Sequence, residues 1–205
     1  MPSKKFDYPK LTAIALAIWF ITGNLFAQGL LVDQASGTTN ETITQASQIP
    51  DNHLAQSFTP SLSAVGFVQF SQYVPAFPGN DQVRFAVNLR QGAFNGPILG
   101  TTDPVVLVNH GIQFGPFYFP ESVPVTPGQL YFFEPVLLSA GSLAIGTKFP
   151  SSYLGGDLWS NGLMDPNADL WFREGVVVPE PGAVCLLLFG ASVFLLQRRN
   201  PRNQA

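Results

Sequence analysis

Apolar and polar residues alternate through the middle of the chain. Val83, Phe85, Val87 and Leu89 are interleaved with Arg84, Ala86, Asn88 and Arg90. A period of two sends one set to a buried face and the other toward solvent, as in a half-buried strand. Val65 and Phe67 open a second strand, and others are predicted over 55–58, 105–108, 112–119, 129–138, 143–147 and 170–173. Turn-forming phrases separate them, among them Pro78-Gly79-Asn80-Asp81, Asn95-Gly96-Pro97, Asn109-His110-Gly111, Pro127-Gly128, Gly155-Gly156 and Asp165-Pro166-Asn167. No long apolar stripe of period 3.6 runs between Gln28 and Gly175. Many short strands with this punctuation predict an all-β fold, an antiparallel sandwich or barrel, and no internal repeat points to a propeller or solenoid.

The pattern changes at both ends. Lys4, Lys5 and Lys10 precede an apolar stretch over 11–21 that only Thr12 interrupts, and Thr22-Gly23-Asn24 then ends it. The stretch is shorter than the ~20 residues of a spanning helix and suits the apolar region of a signal peptide. Ala27 offers a small residue for cleavage before Gln28, with an uncleaved anchor helix as the alternative. At the other end residues 183–196 are all apolar or small, and Gln197-Arg198-Arg199 follows at once. Positive charge behind an apolar run holds that end in the cytoplasm and leaves the middle on the far side of the membrane. The expected organisation is therefore a signal peptide at 1–27, a β domain at 28–175 and a tail at 176–205.

Ahead of the last apolar run lies Val178-Pro179-Glu180-Pro181. Two prolines fix φ and remove two donors, so this tetrapeptide is expected to resist helix and sheet alike. Pro-Glu-Pro, an apolar helix and Arg-Arg, in that order, resemble the PEP-CTERM sorting signal of bacterial envelope proteins. The resemblance covers 178–199 and implies that an exosortase recognises Pro179, Glu180 and Pro181, with Arg198 and Arg199 as the stop signal. It implies two processing partners, signal peptidase and exosortase. It also implies export across the inner membrane, C-terminal anchoring there, and a final place on the cell surface or in the exopolysaccharide matrix.

Composition supports this division. Charged residues make up 11% of the chain, against ~25% in soluble domains. The middle holds only Arg84, Arg90, Lys148 and Arg173 as cations against eleven of the thirteen acids, a formal charge of −7. So acidic a domain is a poor binder of phosphate backbones, which argues against nucleic acid as a partner. The single cysteine, Cys185, lies in the C-terminal apolar run, so the domain has no internal disulfide and no thiolate zinc site.

A second resemblance covers most of the middle. Ala55-Gln56-Ser57-Phe58-Thr59, the segment from Val123 to Tyr131, Tyr153-Leu154-Gly155-Gly156 and Asp169-Leu170-Trp171-Phe172 occur in that order. Together they resemble the jelly-roll, carbohydrate-binding-module-like domains of exported bacterial proteins, which implies a jelly-roll-like β-sandwich. Tyr118, Tyr153, Trp159 and Trp171 are the candidate sugar-stacking rings, with core packing as the alternative use of the same side chains. Trp171 alternates with Leu170 and Phe172 and is expected to face outward. Asp165, Asn167 and Asp169 have the spacing of a calcium loop's first ligands, with Asp157 as a further oxygen donor. Leu170 and Val176 stand where an EF-hand needs Gly and Glu, so an Asp-Pro-Asn turn is the competing reading. No cofactor is otherwise implied.

Nothing in the sequence signals catalysis. His53 and His110, the two histidines, have no neighbouring nucleophile or metal set, and neither G-x-S-x-G nor H-E-x-x-H occurs. Glu121 and Glu134 form no recognisable pair, and Asn40-Glu41-Thr42 matches a glycosylation sequon that bacterial export leaves unused. The expectation is a non-catalytic envelope or matrix protein, structural or adhesive. The alternatives are a carbohydrate-binding module in the exopolysaccharide matrix and a secreted hydrolase.

Overall fold

The computed structural model describes residues 28–38, 45–49, 53–76, 82–108, 112–179 and 190. Contacts divide the chain into two units, Leu30–Val177 on the one hand and the ends, Met1–Gly29 with Val178–Ala205, on the other. The signal segment with Ala27, and Glu180, Pro181, Cys185, Arg198 and Arg199 of the tail, lie outside the described residues, as do His110 and the sequon.

In chain order the strands are β1 (Gln28–Ala35), β2 (Gln45–Ile49), β3 (Leu54–Phe58), β4 (Ala64–Tyr73), β5 (Gln82–Gln91), β6 (Ile98–Thr101) and β7 (Val105–Val108). They continue with β8 (Gln113–Pro124), β9 (Tyr131–Leu137), β10 (Leu143–Lys148), β11 (Leu158–Ser160), β12 (Leu163–Asp165), β13 (Asp169–Leu170) and β14 (Phe172–Pro179). Two antiparallel sheets result. The first runs β1-β14-β4-β10-β13, with β2 on β10 and β8 on β4. The second runs β12-β11-β3-β9-β5-β6, with β7 on β5. Among the described residues no helix is long and apolar enough to cross a membrane.

The alternating pattern places the core. Val83, Phe85, Val87 and Leu89 of β5 are buried in it together with Tyr131 and Phe133 of β9 and Phe58 of β3. The first sheet contributes Val68, Phe70, Phe117, Ile145, Leu170 and Phe172. Rings lock the two layers together. Phe85 meets Phe117 edge-on at 4.8 Å, and Phe133 meets Phe70 at 6.4 Å and Phe172 at 6.3 Å. The described residues thus form an all-β sandwich, with strands where the alternation predicted them.

Strand β4 is buried from Val65 to Gln72 on both faces. Its register on β8 shifts between Val65 and Phe67, so Gly66 sits at a bulge. Residues 119–122 of β8 stand there against Gly66 alone, and the alternation of β4 resets across the irregularity, so that Val65, Val68 and Phe70 all reach the core. A Cβ at Gly66 would lie 3.1 Å from both the Val177 nitrogen and Ser122 Oγ, which favours glycine there.

Two observations depart from the sequence reading. Strands β1, β2, β6, β11 and β12 were not anticipated, because they are short or lack a clean apolar alternation. The last strand also runs on through Val178 to Pro179, rather than stopping short of the proline pair. Pro179 is the last residue of that strand.

Candidate functional site

The solvent side of the second sheet carries one transverse row of side chains. Residues directly opposite in an antiparallel pair share a face. Met164 pairs with Trp159, and Trp159 with Ala55. The register Gln56 to Phe133 then carries Ala55 opposite Glu134, which pairs with Asn88, and Asn88 with Thr101. A second row places Phe132 between Ser57 and Arg90. Core residues occupy the alternate positions of these strands, so both rows face away from the core.

Glu134 is the electrostatic centre of this face. Its Oε2 accepts hydrogen bonds from Arg90 Nε at 2.7 Å and Asn88 Nδ2 at 2.8 Å, and Oε1 bonds His53 Nε2. Thr101 Oγ1 donates to Asn88 Oδ1 at 2.8 Å, which orients that amide. Burial alone would raise the Glu134 carboxyl. The bonds from Arg90, Asn88 and His53, with the Arg90 charge, outweigh burial and hold it below the usual carboxylate range. The carboxylate is therefore ionised near neutral pH, and its partner His53 remains 55% exposed at the side chain.

An aromatic series adjoins this cluster. His53 meets Phe94 edge-on at 4.8 Å, and Phe94 lies nearly parallel to Trp159 at 6.1 Å. Trp159 in turn meets Phe132 edge-on at 5.6 Å. The turn between β5 and β6 presents Phe94. Gly92 at φ 73° opens it, and a Cβ at Gly96 would lie 2.0 Å from the Gln91 carbonyl oxygen. Gly96 also accepts a hydrogen bond from the Arg90 guanidinium at 2.8 Å, so the same loop fixes both the ring and the cation. The Trp159 ring nitrogen is buried without a hydrogen-bond partner.

Of the four rings named from the sequence, only Trp159 belongs to this face. Tyr118 lies on β8 of the other sheet, 41% exposed. Trp171 is on the side of its sheet away from the core, as its alternation implied, yet it is 0% exposed. Its ring nitrogen donates to the Thr38 carbonyl at 3.2 Å and its edge meets Phe114 at 4.8 Å, so no ring face is open to solvent. Tyr153 is buried edge-on against Phe172 at 5.2 Å, and burial pushes its hydroxyl up to about 12.

Of the four oxygen donors named for calcium, the Asp165 and Asp169 carboxylates each accept hydrogen bonds from neighbouring groups. Asp165 Oδ1 accepts from the Asn167 amide at 3.0 Å, an Asx turn. Asp169 is buried and accepts from Ser151 Oγ at 2.9 Å, the Ser152 and Tyr153 amides, and Gln56 Nε2. Asp157 pairs through its backbone with Ser57. Among the described residues no three His, Cys, Asp or Glu side chains converge on a point that could hold a metal ion.

A second acidic pair lies at the edge where β1 meets β14. Asp33 accepts hydrogen bonds from the Ser61 and Leu62 amides at 2.7 and 2.9 Å. Glu174 pairs in register with Val68 and so faces the interior. Burial first, and then the Asp33 charge, pushes its carboxyl up to about 9.

Sequence reasoning missed His53, Asn88, Arg90, Phe94 and Phe132 as a group. The alternation in β5 already put Asn88 and Arg90 on one polar face, which was the available signal. Compared with known protein families and with curated proteins, the chain matches none.

Proposed function

We propose that this is an exported, non-catalytic bacterial envelope protein that adheres to extracellular carbohydrate through the outer face of its second sheet. On this reading the domain is a jelly-roll-like binding module. The PEP-CTERM tail delivers it to the outside, and signal peptidase and exosortase process its ends.

The observation that carries the binding proposal is the juxtaposition of the half-buried rings Phe94 and Trp159, backed by the buried Phe132, with His53, Arg90, Asn88 and Thr101 on the face away from the core. A sugar offers apolar C–H faces and a rim of hydroxyls, so a site for it needs rings for the one and oriented polar groups for the other. Both kinds are present, and the polar groups are already ordered by one another, which lowers the cost of ordering them on binding. Glu134 does not suit the general-acid role in a hydrolase. A general acid must hold its proton near the working pH, and this carboxylate is biased the other way. Glu121 lies exposed on β8 of the other sheet, so the two acids do not flank a common cleft.

The test is a glycan array probed with the full chain in detergent, beside Trp159→Ala. Binding to a subset of glycans that the substitution abolishes supports the proposal. Flat binding by the folded wild-type chain would leave a purely structural role and sink the adhesive one.

A further inference from the structure

The outer face of the second sheet continues past the row that holds Glu134. Alternate residues of β5 lie on the side away from the core: Gln82, Arg84, Ala86, Asn88 and Arg90. Arg84 stands four residues before Asn88, roughly 14 Å along the strand. It pairs in register with Val106 of β7, and its carbonyl accepts from the Leu138 amide at 2.7 Å. Val106, Val108 and Leu138 are all exposed, so Arg84 emerges beside an apolar margin that no other element covers among the described residues.

The two arginines of β5 differ. The Arg90 guanidinium is committed to Glu134 at 2.7 Å and to the Gly96 carbonyl at 2.8 Å. Arg84 is exposed, and among the described residues no carboxylate pairs with its guanidinium. The outward-facing side chains on the strands of this sheet therefore carry Arg84 and Arg90 against Glu134 alone, in a domain that is strongly acidic as a whole. Lys148 and Arg173, the remaining cations between the ends, lie on strands of the first sheet. Charges beyond ~8 Å are largely screened at physiological ionic strength, so the net charge of the domain does not bar an anion from Arg84.

A free guanidinium suits a carboxylate, which it can hold through two parallel hydrogen bonds. We propose that the carbohydrate site extends along β5 to Arg84 and takes a linear polysaccharide bearing carboxylates, with one carboxylate on the Arg84 guanidinium and the adjoining sugar carbons over Val106 and Leu138. This extension rests on the reading of the outer face as a carbohydrate site and adds the chemical class of the glycan. A single sugar held at Trp159 does not reach Arg84, so the ligand is a chain that runs along the strands.

The probe is polysaccharide isolated from the protein's own envelope, used as it is and after carbodiimide–borohydride reduction of its carboxylates to alcohols. Binding is measured on the full chain in detergent for wild type, Arg84→Gln and Trp159→Ala. Wild type is expected to bind the native polymer about fivefold more tightly than the reduced one, the upper value of an exposed ion pair. Arg84→Gln is expected to erase that preference and to bind the reduced polymer as wild type does. Trp159→Ala is expected to weaken both polymers together, because ring stacking needs no charge. Equal binding of the two polymers by wild type, or an unchanged preference in Arg84→Gln, overturns the extension to Arg84, and dependence on Trp159 would then leave the site around Glu134 standing. Absence of binding to either polymer by folded wild type overturns both.

Discussion

At the scale of single residues, two carboxyl groups in one sandwich are driven in opposite directions. Glu134 receives three side-chain donors, and they outweigh burial, so its carboxyl lies below the ordinary value. Glu174 faces the interior beside Asp33 and is raised to about 9. Their linkage to stability has opposite signs. Glu134 contributes stability that is full above the unfolded carboxylate pKa of ~4.3 and is lost as pH falls through the folded value. Replacing it with Ala strands Arg90 and Asn88 and is expected to cost about 2–3 kcal/mol near neutral pH by urea unfolding. The loss should shrink in acid.

Glu174 binds a proton in the folded state that it releases on unfolding. Its contribution is therefore greatest below ~4.3 and declines as pH rises toward about 9. The groups that act on it are Asp33, which raises it, and the neighbouring Tyr153 hydroxyl, which its charge disfavours ionising. Glu174→Gln keeps the shape without the titration. Its melting temperature is expected to exceed wild type at pH 9 and to approach it at pH 5. Equal melting temperatures at pH 9 would show that Glu174 carries no such burden.

At the scale of elements, legibility followed from how much of a strand's environment is a simple alternation. Strand β5 was readable because one of its faces is core and the other is polar, and β9 and β10 were located by their apolar runs. The sorting of β4 was not readable, since a bulge at Gly66 shifts the phase and both faces are covered. The hairpin of β11 and β12 had a signal that went unused. Asn161-Gly162 joins Ser160 to Leu163, and both turn residues have positive φ, 51° and 80°. Such a two-residue turn matches the twist of its strands, and Asn-Gly is its commonest sequence. Gly162→Ala forces a Cβ into the left-handed region and is expected to lower stability by about 1–2 kcal/mol. Because this hairpin carries Trp159 and Met164, weaker glycan binding should accompany the loss.

The candidate site was only partly legible for a related reason. Trp159 could be named from its type, and Arg90 and Asn88 from their face, but Trp159 lies on β11, Glu134 on β9, and Arg90 and Asn88 together on β5. Their convergence depends on the order β11-β3-β9-β5-β6, which no local pattern encodes. Residue type alone also grouped Tyr153 and Trp171 with Trp159. The packing of Phe172 and Phe114 against those two rings assigns them to the interior and to a covered face.

At the scale of the whole molecule, a domain with a core shared by two sheets sits in sequence between two segments of quite different composition. The proposed route to the cell surface makes a simple prediction about its ends. Intact mass and terminal peptides of the protein from its native envelope are expected to show a chain that starts near Gln28 and stops near Pro179, Glu180 or Pro181. Retention of Arg198 and Arg199 in the mature protein would instead make the tail an ordinary anchor. The sandwich itself should survive outer-face substitutions, because its stability comes from interior contacts such as those of Phe133. Phe133→Ala is expected to cost about 3–5 kcal/mol.

The most direct measurement of the central claim is the affinity of the full chain for polysaccharide isolated from its own envelope, taken beside Trp159→Ala at matched melting temperature. Loss of tenfold or more in the variant, with the fold intact, is the predicted result. Equal affinity in the two proteins, or no measurable binding by wild type, would contradict the assignment of the outer face of the second sheet as a carbohydrate site.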